Sequence, residues 1–126
     1  METLILPSLL GQPDRDTVQC TERLEAVNDA LYVLGGKWKL RIIVAICDGH
    51  QRFNEIQRIT RGITAKVLSY ELKELELNGL VQRTVDPENA KLIRYEPTLY
   101  THTLNDVLHS LAVWGVNHRT KLRNDG

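Results

Sequence analysis

The chain has 126 residues, 42% hydrophobic and 25% charged, a composition that fits one ordinary soluble domain rather than a disordered or membrane chain. No stretch approaches the roughly 20 apolar residues that a membrane-spanning helix needs. Basic and acidic side chains cancel overall but not locally: residues 1–35 carry two basic and six acidic groups, 36–66 seven and two, and 67–126 seven and eight. The surplus of five positive charges in the middle segment is either a solvated face or a contact surface for a polyanion.

Residues 1–19 read as an N-terminal arm or tail. Its segment Leu4-Ile5-Leu6-Pro7-Ser8-Leu9-Leu10 is apolar, but it follows Glu2 instead of a basic region and contains a proline, unlike a secretory leader. The chain therefore reads as cytoplasmic, with no membrane partner. A polar linker, Gly11 to Asp16, leads to Leu24, Val27, Leu31 and Leu34, the narrow repeat of a helix packing on another helix, which Gly35-Gly36 ends. A second helix is expected from Lys37 to Cys47, with Trp38, Ile42, Ala45 and Ile46 inward. Leu40, Ile43 and Val44 make it apolar nearly all round, as in a helix central to a core, and Cys47 reads as a small core residue. After Asp48-Gly49-His50, the triplet Gln51-Arg52-Phe53 is a short connector or edge strand. Asn54 to Thr60 makes a brief helix with Ile56 and Ile59 inward, and Arg61-Gly62 forms a turn.

The stretch from Ile63 to Val81 carries the most information, because it reads as one capped helix that stops abruptly and becomes a strand. Thr64 can accept a hydrogen bond from a free first-turn N–H, and Gly79 tolerates the left-handed conformation needed after the last turn. At about 100° per residue Leu68, Leu72 and Leu75 share one face, while Lys66, Tyr70 and Lys73 share the opposite one. Leu80 to Asp86 alternates roughly as a half-buried strand, Ile93 to Glu96 can pair with it, and Pro87-Glu88-Asn89-Ala90 is the hairpin loop. A final helix from Thr101 to Leu122 carries Leu104, Val107, Leu108, Leu111 and Trp114 on one stripe. Each of these left exposed would forgo about 1.5–3 kcal/mol of burial. Either a partner chain covers the stripe, or the helix folds back as a monomeric cap.

A short helix, a tight turn, a capped helix and a hairpin together make a winged helix-turn-helix, whose recognition helix fits the major groove of double-stranded DNA. On this reading Thr64 and its neighbouring N–H groups face a phosphate, and Lys66, Ser69, Tyr70 and Lys73 reach base edges or backbone. Lys91 and Arg94 approach DNA from the wing, and Arg52 and Arg58 add phosphate contacts.

The motifs Val33-Leu34-Gly35-Gly36-Lys37-Trp38-Lys39, Arg52-Phe53-Asn54-Glu55-Ile56, Gly62-Ile63-Thr64, Leu72-Lys73-Glu74-Leu75-Glu76 and Gly79-Leu80-Val81 occur in that order. Over Cys20 to Arg119 the chain resembles the HxlR-type winged-helix regulators, a MarR-like group. The resemblance implies a mainly α fold with a small β-hairpin wing (α+β) over residues 20–122, a winged helix-turn-helix with N- and C-terminal dimerisation helices. It further implies a prokaryotic transcription factor that binds a pseudo-palindromic operator as a homodimer. Leu24, Val27 and Leu31 of the first helix would join Leu104, Val107, Leu108, Leu111 and Trp114 of the last in the interface. Many relatives of this kind carry a redox-sensing cysteine at a position that, counted back from Trp38, is Glu25 here. Cys20 is then the candidate sensor for oxidants or electrophiles, either displaced from the family position or an unreactive terminal thiol.

Other chemistry finds little footing. Neither the two cysteines nor His50, His102, His109 and His118 have metal-ligand spacing, and no phosphate loop, nucleophile elbow or carboxylate pair occurs. No metal, cofactor or catalysis is expected; a small-molecule or redox effector is the remaining ligand class. The competing function is a winged helix used for protein–protein interaction without specific DNA binding, through Tyr70, Leu77 and the wing. The clustered positive charge argues against it.

Overall fold

The computed structural model of the protein describes residues 17–125. Residues 1–16, with the apolar arm and the polar linker, and residue 126 lie outside the described residues. The chain divides after Gly35 into two compact units. The first holds α1, Thr17–Leu34, whose last turn is closed by the Gly35 N–H donating to the Leu31 carbonyl at 2.7 Å. Leu24, Val27 and Leu31 of α1 are exposed, as is Tyr32.

The second unit runs α2 (Lys39–Cys47), α3 (Phe53–Ile59), α4 (Ala65–Leu77), β1 (Val81–Val85), β2 (Ile93–Pro97), a 3-10 turn (Tyr100–Leu104) and α5 (Asn105–Asp125). Its core is Ile42, Ile43, Ala45 and Ile46 from α2, Ile56 from α3, Ile63, the Leu68–Leu72–Leu75 face of α4, and Leu80 and Val81. Because α2 is apolar on most sides, it supplies the largest share of this core. The leucine face of α4 is sealed as its spacing predicts.

Local chemistry sets the junction of helix and wing. Gly79 takes φ +75°, and the N–H groups of Gly79 and Leu80 donate to the carbonyls of Glu76 and Leu75, each at 3.0 Å. This left-handed cap, which glycine adopts without a Cβ penalty, turns the chain directly into β1. The Thr98 hydroxyl donates to the Gly79 carbonyl at 2.6 Å and the buried Thr101 hydroxyl to that of Leu80, tying the segment before α5 to the same junction. β1 and β2 pair antiparallel, with Val81 opposite Pro97, Arg83 opposite Tyr95 and Val85 opposite Ile93. The connecting loop is an Asx turn in which the Asp86 carboxylate accepts from the Glu88 and Asn89 N–H groups at 2.8 and 3.2 Å.

Several expectations need correction. α2 begins at Lys39, not Lys37, so Trp38 stands at the N-cap, half-buried, and the buried position inside the helix is taken by Ile43. The third helix is shifted one residue earlier, to Phe53–Ile59, and Gln51 remains a connector that accepts a single hydrogen bond from the Tyr95 N–H at 2.8 Å. Ile59 is exposed, because the short helix ends there and Thr60 takes the inward position. Cys47 is likewise exposed, at the last residue of α2 before the Asp48-Gly49 turn. Strict alternation fails in β1: after buried Val81, both Gln82 and Arg83 are exposed, since a two-stranded wing has no layer over its outer face. The final helix is not continuous from Thr101. Leu104 lies in the 3-10 turn, and α5 runs from Asn105 to Asp125.

Candidate nucleic-acid interface

α4 is held at both ends and along its side. Thr64, extended at φ −82° and ψ 159°, accepts from the Val67 N–H at 3.2 Å, so its hydroxyl is committed to capping the helix. Behind it, Lys39 Nζ of α2 meets Glu71 Oε1 of α4 at 2.6 Å, with both side chains only 14% exposed. This pair fixes the rotation of α4 about its own axis. The Gln57 amide donates to the Ile63 carbonyl at 3.3 Å, anchoring the turn between α3 and α4.

With the leucines inward, Lys66, Ser69, Tyr70 and Lys73 are all exposed on the outer face, and Tyr70 retains 60% of its surface. Leu77 continues this stripe at its C-terminal end and is also exposed. The stripe offers ammonium, hydroxyl and phenol groups along one side of the helix. That is the mixture of donors and apolar edge that reads bases and holds phosphates.

Two open grooves flank the helix-turn-helix. One, of about 240 Å³, lies between α4 and the wing and is lined by Ser69, Leu72, Lys73, Glu76, Arg83 and Tyr95. It brings Lys73 together with Arg83, a residue the sequence reading did not single out. The pairing signal was present, because Arg83 and Tyr95 stand opposite in register and so project from the same side of the hairpin. The other groove, of about 430 Å³, brings Arg52 and Arg94 together with Gly49, Gln51, Asn54 and Glu55. Arg52 stands at the N-cap of α3, where its N–H donates to the Glu55 carboxylate at 3.5 Å. Arg58, in the last turn of α3, and Lys91, in the hairpin loop, are exposed and line neither groove.

The expected interface residues are placed as follows. In α5, Val107, Leu111 and Trp114 are exposed, Trp114 to 65%, while Leu108 and the preceding Leu104 are half-buried; no residue of α5 is buried. Trp114 stacks on His118 with ring centroids 4.9 Å apart. Cys20, in the first unit, is an exposed free thiol that accepts from the Arg23 guanidinium at 4.0 Å. Cys47 is a free thiol held above the usual thiol range by partial desolvation and then by the neighbouring Asp48 carboxylate. Among the described residues no cluster of His, Cys, Asp or Glu could hold a metal ion, and no helix is long and apolar enough to cross a membrane.

Three helices, the third capped and outward-facing, followed by an antiparallel wing, define a winged helix-turn-helix protein. Residues 33–123 match the HxlR-like helix-turn-helix family, and the chain belongs to it. The HTH-type transcriptional regulator YtcD of Bacillus subtilis (strain 168) is 35% identical over 100 residues, 79% of each chain. Among solved structures, the redox regulator HypR in its reduced form aligns with a TM-score of 0.70 at 34% identity, over 79% of this chain and 98% of HypR. Reduced YodB of B. subtilis aligns with a TM-score of 0.60 at 35% identity, over 69% and 85% of the two chains. YodB has also been solved diamide-treated and quinone-bound. The protein is thus a member of a transcriptional regulator family with redox regulators among its structural neighbours.

Proposed function

We propose that the protein is a homodimeric, sequence-specific DNA-binding regulator that places α4 in the major groove and the wing on flanking DNA. The observation that carries this reading is the outer stripe of α4: Lys66, Ser69, Tyr70 and Lys73 are exposed together on a helix whose opposite face is locked into the core. Lys91 and Arg94 extend the contact along the wing, Arg52 and Arg58 hold phosphates, and the first-turn N–H groups beside Thr64 meet a backbone oxygen. Arg83 joins Lys73 in the groove between helix and wing.

Dimerisation is supported by apolar surface that a monomer leaves wet. Val107, Leu111 and Trp114 on α5, and Leu24, Val27 and Leu31 on α1, are exposed in one chain. A second copy is their natural cover, and a two-fold dimer sets two recognition helices one DNA turn apart, about 34 Å, on a pseudo-palindromic operator. Oxidants or electrophiles acting on Cys20 would change operator affinity; the redox regulator HypR and the quinone-bound form of YodB among the structural neighbours support this class of effector.

Selection from a random duplex library yields the binding sequence, and titration of that duplex and a scrambled one at several salt concentrations tests the proposal. One dimer per site, selectivity for the selected duplex and a steep salt dependence are expected. Lys73→Ala should weaken binding, by about 1–3 kcal/mol with relaxed specificity if it contacts a base, or uniformly with a salt slope shallower by about one if it contacts phosphate. Weak, salt-independent binding alike on both duplexes would leave α4 as a protein-docking surface centred on Tyr70 and Leu77. Cys20→Ser should abolish the response to diamide; an unchanged response would remove the thiol assignment.

A further inference from the structure

Not all the basic residues of the middle segment belong to the recognition helix or the wing. Lys37 precedes α2, Trp38 stands at its N-cap, Arg41 lies within its first turn, and Arg61 sits in the turn between α3 and α4. Lys37 Nζ and Arg41 Cζ each lie 4.8 Å from the centroid of the Trp38 ring. Arg41 Nη2 also donates to the Arg61 carbonyl at 3.2 Å. Gly62, at φ +92°, runs beside the same indole: a Cβ there would stand 3.8 Å from Trp38 Cη2. The indole, the start of α2 and the Arg61-Gly62 turn are therefore one continuous patch, and that turn leads within two residues to Thr64, the cap of α4.

Charge distinguishes this patch from its surroundings. Lys39, between the two ring-stacked cations in sequence, is neutralised by Glu71. Lys37, Arg41 and Arg61 are exposed and make no ion pair among the described residues. Two of the three are held on an aromatic face, which orders long side chains before any ligand arrives and so lowers the entropy lost on binding. Preordered, uncompensated cations on one exposed patch suit a repeating polyanion better than a compact effector. We propose that Lys37, Arg41 and Arg61, organised by Trp38, form a second phosphate-binding patch that clamps the DNA backbone where the N-terminus of α4 enters the groove. This rests on the proposed DNA-binding function and adds contacts beyond the recognition helix and the wing.

The test uses the full-length protein, the library-selected duplex and a scrambled duplex, with Lys37→Gln, Arg61→Gln and the double variant, each checked for an unchanged melting temperature. Each single substitution should weaken binding equally on both duplexes and make the salt slope shallower by about 0.9, so that a fourfold rise in salt costs the variant about 3.5-fold less affinity than the wild type. Ethylation of individual phosphates gives a second readout that does not depend on the variants' affinities alone: phosphates whose ethylation weakens the wild type but not the double variant should lie together beside the groove entered by α4. An unchanged slope and ethylation pattern in the double variant would overturn the patch and leave the major-groove reading standing, as would a loss confined to the selected sequence. Absence of salt-sensitive duplex binding by the wild type would overturn both.

Discussion

The head of the molecule, α2 to β2, and the helices α1 and α5 obey different rules. In the head every helix has an inside: α2 and α4 bury four and three residues, and the Thr64 hydroxyl caps the start of α4. In α1 and α5 the same leucines and valines, at the same helical spacing, stay exposed, and α5 buries none of its residues. Amphipathic spacing thus identifies an apolar face but not what covers it. A face opposed by other elements of its own chain becomes core; an unopposed one stays exposed.

The sharpest way to break that comparison is to make one substitution in both places. Leu72→Ala, in the head, should lower the unfolding free energy by about 2–5 kcal/mol, because it removes buried methyl groups and leaves a cavity. Leu111→Ala, on α5, leaves no cavity in the monomer. Its unfolding free energy at low concentration should move by no more than about 0.5 kcal/mol, while the concentration at which the dimer dissociates rises. Urea unfolding at two protein concentrations, with sedimentation for the association state, separates the two. Equal, concentration-independent losses would mean that α5 is packed as a monomeric cap.

A smaller effect probes how the head presents its outer face. Thr64→Ala removes the acceptor for the Val67 N–H and should cost about 1 kcal/mol, read as a lower melting temperature with the fold retained. No loss would mean that water or a neighbouring group caps α4 equally well.

How far the sequence could be read follows the same division. The bounds of α4, from the Thr64 cap to the Gly79 turn, were legible because capping and left-handed turns depend on residues a few positions apart. So was the pairing of β1 with β2. Ile59, Cys47 and Leu104 were misplaced because their environment depends on where a helix stops relative to the rest of the core, which periodicity does not encode. Arg83 and the basic patch around Trp38 escaped for a related reason: their neighbours come from other elements, Ser69 and Lys73 for the first and the Arg61-Gly62 turn for the second. The excess of basic residues in 36–66 signalled such a surface without locating it.

The two cysteines give the comparison its finest test, since Cys20 lies in the α1 unit and Cys47 in the head. Partial desolvation and the Asp48 carboxylate both penalise the Cys47 thiolate, so its folded-state pKa is raised above that of the unfolded chain. A raised pKa means that the folded protein holds the thiol proton more tightly. The associated stability is present below the unfolded thiol's pKa and is lost as pH rises through the folded value. Two consequences can be measured. In the Cys20→Ser variant, alkylation of Cys47 should reach half its maximal rate at a higher pH than a free-cysteine peptide, because thiolate is the attacking form. The wild type should also lose stability more steeply than Cys47→Ala as pH rises through the alkaline thiol range. A Cys47 midpoint at or below that of the peptide would show that partial desolvation and the Asp48 turn do not govern this thiol.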